Sequence, residues 1–355
     1  MCGITGLWCA DSVPEGTVRQ WLERMTARLV HRGPDASGLF FDRVAGIGFG
    51  HRRLSILDLS ERGQQPMWSH SGRYCITYNG EVYNAPEIRA ELERKGFRID
   101  WRGHSDTELV LEAVEALGLN AALAQFCGMF AFALWDGEAK RLSLVRDRLG
   151  IKPLVYAPGD FGVAFASEIQ ALYELPLFQP RLDRSTVASF LRFGVVPDDE
   201  CILERVHKVP PGTILQFDAP RGAVKQERFW DAAEVAAQGM TDPFRGSDED
   251  AIDEVERLIQ RSVALRMRSD VPFGAFLSGG IDSTAVVAMM QKVASKLPKL
   301  RTLVNQAGFE YLRIYRVNDF LATSGYWLMF FREMKNANSA GQLINRSISS
   351  PQFHD

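Results

Sequence analysis

Cys2 is the first residue whose type and position could do chemistry. A small residue after an initiator methionine permits removal of that methionine, which leaves a free α-amine on the cysteine itself. An unperturbed α-amine has a pKa of about 7.7–8.0, so a useful fraction is neutral near pH 7. Such an amine can act as general base for its own side chain, directly or through a water. The thiolate it generates is a strong nucleophile toward an amide. Taken alone, Cys2 reads better as a small buried residue that opens a strand. The segments that accompany it reverse that preference.

A second constellation is Ser278-Gly-Gly-Ile-Asp-Ser283. Val271 to Leu277 is a short apolar run of strand type, and Thr284 to Lys296 is helical. Strand, glycine-rich turn and helix open an α/β nucleotide-binding domain. Hydroxyls and backbone N–H groups at the start of that helix make an anion cradle. No Gly-Lys-Ser/Thr follows, so this is not a Walker A loop. Alone, the motif fits an ordinary helix-capping turn equally well.

The elements that must position these groups follow from periodicity. Residues 2–180 read as α+β, with strands alternating with modest helices. Tyr74 to Tyr78 is strand-like and stops at the turn signal Asn79-Gly80. Thr107 to Leu117 carries Leu109, Val110, Val114 and Leu117 on one helical stripe. Phe130 to Trp135 and Arg141 to Val145 flank Asp136-Gly137, a hairpin signal. Residues 181–248 are punctuated by Pro197, Pro210-Pro211-Gly212 and Pro220, and read as a connector with a short strand at Gly212 to Phe217. Ile252, Val255, Ile259 and Val263 then recur at helical spacing after an acidic start. This opens a partial α/β domain over residues 249–302. Leu303 to Asp355 does not continue the rhythm and reads as a divergent tail.

Composition narrows the classes. The formal net charge of -3 implies no polyanion-binding surface, so nucleic acid is not an expected partner. No apolar run reaches the ~20 residues of a membrane helix, so no membrane partner is expected. Met1 to Val13 has no basic leader and meets Asp11 early, unlike a signal peptide. The five cysteines are widely spaced with no Cys-x-x-Cys pair, which argues against a disulfide framework and a zinc site. A reducing cytoplasm is the expected setting.

Met1-Cys-Gly-Ile-Thr-Gly6 and His31-Arg-Gly-Pro-Asp35 resemble the opening segments of class II, N-terminal-nucleophile glutamine amidotransferases. Arg53-Leu-Ser-Ile56, Asn79-Gly-Glu-Val-Tyr-Asn84, Ser105-Asp-Thr-Glu108 and Gly128-Met-Phe-Ala-Phe132 follow in the family's order. So do Arg146-Asp-Arg-Leu-Gly-Ile-Lys-Pro153 and Ala166-Ser-Glu168. With Ser278 to Ser283 added, the chain resembles the glutamine-hydrolysing asparagine synthetases over residues 1 to about 300. The fold this implies is an N-terminal nucleophile hydrolase sandwich, antiparallel sheets between helices, followed by the partial nucleotide-binding domain.

The resemblance also implies roles. Cys2 would attack the side-chain amide of glutamine and form a γ-glutamyl thioester. Asn79 and the Gly80 N–H would hold the oxyanion. Arg53 would pair with the glutamine carboxylate, Asp106 with its ammonium, with Leu54 and Glu81 beside them. Composition does not choose between Arg52 and Arg53; the Arg-Leu-Ser-Ile segment favours Arg53. His31, Arg32 and Asp35 would order the site. In the second domain Leu277, Ser278, Gly279, Gly280, Asp282 and Ser283 would bind ATP, with Asp282 on Mg2+. Aspartate would be activated as β-aspartyl-AMP and trapped by ammonia.

The family's later Ser-Gly-x-Gly-x-Asp-Glu segment has no counterpart in Leu303 to Asp355. The resemblance therefore implies a synthetase half cut short after about residue 300. An unfinished sheet would leave an edge for a second copy, which keeps a homodimer open. Two other readings follow: a glutaminase or an amidotransferase with another acceptor, and a remnant that binds without turnover.

Overall fold

Gly3–Cys9 is small or apolar at most positions and buried at every one, the signature of a central rather than an edge strand. It is β1 of a unit spanning Met1–Arg245; a second unit spans Gly246–Asp355. The computed structural model describes residues 1–10, 14–176, 178–198, 200–271, 273–275, 280–294 and 328–330.

The first unit continues with α1 (Glu15–Ala27), β2 (Ala36–Asp42), β3 (Ile47–Arg53), β4 (Met67–Trp68) and β5 (Tyr74–Val82). Then come α2 (Ala85–Arg94), α3 (Asp106–Leu117), α4 (Leu119–Gln125), β6 (Gly128–Asp136) and β7 (Arg141–Arg146). β8 (Val155–Gly159), β9 (Gly162–Ala166), α5 (Ile169–Leu172) and α6 (Arg184–Phe193) follow. The unit ends with β10 (His207–Lys208), β11 (Thr213–Phe217), β12 (Val224–Arg228) and α7 (Ala232–Thr241).

The strands form two sheets, ordered β10-β8-β9-β1-β3-β2 and β12-β11-β7-β6-β5-β4. Every pairing is antiparallel. The period-2 pattern of each central strand explains the layering. Ile4 and Trp8 of β1 meet Cys75, Ala133 and Trp135 of the other sheet in the core between them. Leu7 and Cys9, on the opposite face of β1, pack against Val18, Leu22 and Met25 of α1. Ile76, Tyr78 and Phe132 turn the other way and pack against α2, α3 and α4. Trp8 and Trp135 join the sheets edge to face, with centroids 5.1 Å apart. Such a pair adds ~0.5–1.5 kcal/mol beyond its area. The expected arrangement of antiparallel sheets between helices is thus present.

The stretch read as a connector does more than connect. β10 extends the first sheet through β8, while β11 pairs with β7 and carries β12 at the edge of the second. Pro-Pro-Gly is a turn signal, yet Gly212, at φ +61, delivers Thr213 directly into a buried strand. The punctuation marks turns between strands rather than a linker.

In the second unit, α8 (Asp248–Arg266) begins at a capping box between Ser247 and Asp250. β13 (Phe273–Ala275), α9 (Ile281–Ala294) and β14 (Leu328–Phe330) follow, β13 pairing antiparallel with β14. Val263 and Met267 pack with Met290 and Val293. Apart from β14, the divergent tail lies outside the described residues. Among the described residues no helix is long and apolar enough to cross a membrane.

Candidate active site

β1 begins at Gly3, so Cys2 stands at its mouth, where β1 and β3 part. A Cβ on Gly3 would lie 2.8 Å from that of Leu29, so only glycine lets the chain enter here. The sulfur of Cys2 is bracketed by one residue: Leu54 N–H lies 3.4 Å from Sγ, and Leu54 O accepts from the thiol at 3.7 Å. Leu54 therefore meets the Cys2 sulfur through its main chain.

The charges around Cys2 compete. Desolvation raises its thiol above the ordinary value. The Leu54 N–H, the amino terminus, Lys152 and Arg53 pull the other way. Burial lowers the Met1 amino group, which Cys2 and, less strongly, Glu81 partly restore.

His31, Arg32 and Asp35 all make contacts in this corner. Arg32 Nε donates to Cys2 O at 2.9 Å, and its Nη1 to Glu168 Oε1 at 2.7 Å. Asp35 takes the Ser55 N–H at 2.9 Å and gives its own N–H to Arg53 O at 3.0 Å. The segment after β3 is thereby held against Cys2.

β5 carries the candidate oxyanion donors. Gly80 pairs with Phe130, and a Cβ there would stand 2.5 Å from Met129 O, so the neighbouring strand dictates glycine. Tyr78 N–H donates to Gln65 Oε1 and Val82 N–H to Asp106 Oδ2, both outside the ladder with β6. In a regular antiparallel ladder Gly80 N–H, two residues from each, points the same way. Asn79 is only 1% exposed, and its Nδ2 has no hydrogen-bond partner among the described residues. Buried amide donors are rarely left unpaired outside sites that use them. Asn79-Gly80, expected as a turn by local signals, lies inside β5 because the ladder with β6 runs on to Val82.

Asp106 bonds to β5 on either side of these donors, through Tyr78 and Val82, while Arg53 lies at the end of β3. Arg53 reaches the 57–60 loop, donating from Nη1 to Ser60 O at 2.8 Å and from Nη2 to the Leu57 and Asp58 carbonyls. Arg52 turns elsewhere, to Gly33 O at 3.0 Å. The Ser105 hydroxyl accepts from Glu108 N–H, starting α3 at Asp106. Burial raises the Asp106 carboxyl, opposed by hydrogen bonds from Val82 N–H and the Tyr78 hydroxyl.

The sequence reading gave no role to Lys152 or Glu168, although both lie in quoted segments. Lys152 is 5% exposed, its ammonium lowered by burial and supported by Glu81 and Cys2. Glu168 lies below the usual carboxylate range: burial pushes it up, but Arg32 and His31 overcome that. Only membership in those segments could have flagged them.

In the second unit, Leu277, Ser278 and Gly279 lie outside the described residues. Gly280 O accepts the Ser283 hydroxyl at 3.1 Å and the Thr284 hydroxyl at 2.8 Å, and Asp282 is exposed on the first turn of α9. Among the described residues no group of three or more metal-ligating side chains occurs. Asp282 thus offers one carboxylate; Mg2+ is commonly held by one or two together with substrate phosphates.

Comparison with known proteins agrees with this division. Residues 1–230 match the glutamine amidotransferase domain family, and residues 254–310 match the asparagine synthase family. The chain is 35% identical over 311 residues to asparagine synthetase [glutamine-hydrolyzing] 1 of Bacillus subtilis, covering 87% of this chain and 47% of that one. It is 31% identical over 328 residues to a putative asparagine synthetase [glutamine-hydrolyzing] 2 of Methanocaldococcus jannaschii, covering 87% and 60%. The chain thus spans about half the length of the curated relatives it matches. A solved structure, the allosteric regulatory enzyme of purine biosynthesis, is similar at 19% identity and TM-score 0.47, over 64% of this chain and 49% of its own.

Proposed function

We propose, on the premise that this chain belongs to the glutamine amidotransferase domain family, that its first unit hydrolyses glutamine with Cys2 as nucleophile. The observation that carries the reading is the buried Nδ2 of Asn79, without a partner among the described residues, beside the outward Gly80 N–H. Two such donors are what an oxyanion needs.

Removal of Met1 leaves the Cys2 α-amine next to its own thiol. The amine takes the thiol proton as sulfur attacks the glutamine side-chain carbonyl. The Asn79 amide and Gly80 N–H receive the oxyanion. The proton passes to the leaving nitrogen, ammonia departs, and a γ-glutamyl thioester remains. Water then releases glutamate and restores the thiol. Asp106 holds the substrate ammonium, and Arg53, with Leu54 and Glu81 beside it, holds the carboxylate.

The second unit is proposed to bind ATP through Leu277 to Ser283. There Mg2+ would screen the phosphates at Asp282, and aspartate would accept the ammonia through β-aspartyl-AMP. The asparagine synthase match to residues 254–310 supports this.

Amino-acid analysis of the purified chain with glutamine, aspartate and Mg-ATP tests the reading. Glutamate and asparagine rising together support both halves. Glutamate alone supports the glutaminase and removes the aspartate acceptor. Neither product, in a folded protein whose Met1 is shown by mass to be absent, overturns the proposal.

A further inference from the structure

Ser167 and Glu168 follow β9 and grip the chain around Cys2. Ser167 is bonded to Ile4 twice: Ile4 N–H donates to its Oγ at 3.0 Å, and Ser167 N–H donates to Ile4 O at 2.8 Å. Glu168 reaches one residue pair further. Its Oε1 accepts from Arg32 Nη1 at 2.7 Å, while Arg32 Nε donates to Cys2 O at 2.9 Å. His31 Nε2 lies 2.9 Å from Glu168 Oε2, and Gln170 Nε2 donates to that oxygen at 3.0 Å. The guanidinium is therefore held by a carboxylate on one edge and uses another edge to hold the Cys2 carbonyl.

The geometry matters because of where Cys2 stands in the chain. With Met1 gone, no preceding peptide restrains this residue. The Cys2–Gly3 peptide plane is then its only backbone anchor, and Arg32 fixes that plane through the carbonyl. Rotation about the Cys2 Cα–C bond remains, and it carries both the amine and the side chain. Leu54 N–H against the sulfur sets that rotation. The Arg32 and Glu168 side chains are 7% and 23% exposed. The pair is therefore less open to the screening and disorder that weaken surface ion pairs.

We propose that Glu168 is a positioning residue for the Cys2 nucleophile, acting through Arg32 on the Cys2 carbonyl. The proposal rests on the reading of Cys2 as the nucleophile of glutamine hydrolysis. Without Glu168 the guanidinium is free to swing, the peptide plane loosens, and thiol and amine lose their aim. Glutamine itself is held elsewhere, by Arg53 and Asp106. The loss therefore falls on turnover rather than on substrate affinity. Arg32 would also be left with an uncompensated positive charge near the thiol, and the loosened sulfur would be more open to reagent. Both effects favour reaction with a small alkylating agent.

The experiment compares the full chain with its Glu168→Ala and Glu168→Gln variants, each checked for an unchanged thermal transition. It reads kcat and KM for glutamine hydrolysis, and the rate of Cys2 alkylation by iodoacetamide, located by peptide mass. Glu168→Ala is expected to lower kcat about 10–100-fold with KM within about threefold, as misplacement of a reacting group does. Its Cys2 alkylation is expected to run faster than wild type, the opposite sign. Glu168→Gln, close to Glu168 in size, should fall between, and it carries the test if Glu168→Ala does not fold. A kcat within about twofold of wild type, or a lower kcat with alkylation unchanged or slowed, overturns the positioning role. If the wild-type chain itself yields no glutamate, the nucleophile reading fails. The alkylation rates then still decide whether Glu168 holds Cys2.

Discussion

The Tyr78 hydroxyl donates to Asp106 Oδ2 at 2.9 Å, joining β5 to the first residue of α3 in the interior. Burial raises both groups, Tyr78 well above its ordinary value. A carboxylate kept in such a place is a cost to stability that substrate binding can explain. For a carboxyl raised in the folded state, stability falls as pH climbs from the unfolded value, about 3.9, through the folded one. Asp106→Asn should therefore melt at or above the wild-type temperature at pH 7. It should also raise the glutamine KM about 10-fold or more, with kcat less affected. A lower melting temperature with an unchanged KM would make Asp106 purely structural.

Asn79 offers a cleaner separation of stability from activity. Its Nδ2 has no partner to lose among the described residues, so Asn79→Leu should leave the urea midpoint unchanged or higher. Turnover should drop by roughly 10²–10³, the usual effect of removing one oxyanion donor. Turnover near wild type would remove Asn79 from the chemistry.

Arg53 is expected to show both effects at once. Its guanidinium spans the carbonyls of Leu57, Asp58 and Ser60, a pattern a lysine cannot reproduce. Arg53→Lys should cost about 1–3 kcal/mol in stability, from main-chain carbonyls left unpaired. It should also raise the glutamine KM. A raised KM with full stability would mean the 57–60 loop does not depend on this side chain.

His51 predicts an acid limit to folding. It is 1% exposed, and burial, reinforced by Arg53 and Arg52, lowers its pKa to about 3. Its Nδ1 lies 3.2 Å from the Thr77 hydroxyl, between the sheets. A base depressed in the folded state binds more protons unfolded. Its contribution is complete above the unfolded value, about 6.5, and is lost as pH falls toward the folded one. Stability should decline between pH 6.5 and 4 with a slope of at most about 1.4 kcal/mol per pH unit from this group. Urea titrations of wild type and His51→Gln, compared across that range, test it. Equal slopes in the two proteins would exclude His51 as the source.

Much of the scaffold was legible because its determinants are local. The β6–β7 hairpin is written in alternating residues around Asp136-Gly137, although Asp136 pairs with Arg141 and so closes a four-residue loop rather than the two-residue turn that Asp-Gly favours. α3 follows from the Ser105 cap and the stripe Leu109, Val110, Val114. β10, β11 and β12 were less legible, since proline and glycine mark a turn whether it joins domains or strands.

By itself the sequence determined the chemical inventory: a cysteine at position 2, an Asn-Gly pair, and basic and acidic residues in recognisable segments. Those are properties of residue type and near neighbours. Only the tertiary structure decided that Leu54, 52 residues from Cys2, would bracket its sulfur. It also decided that Glu168, 136 residues from Arg32, would hold its guanidinium, and that the Asn79 Nδ2 would be buried with no partner among the described residues. The reason is physical. Desolvation and hydrogen bonding depend on which atoms share a volume, and that is set when two sheets close over one another.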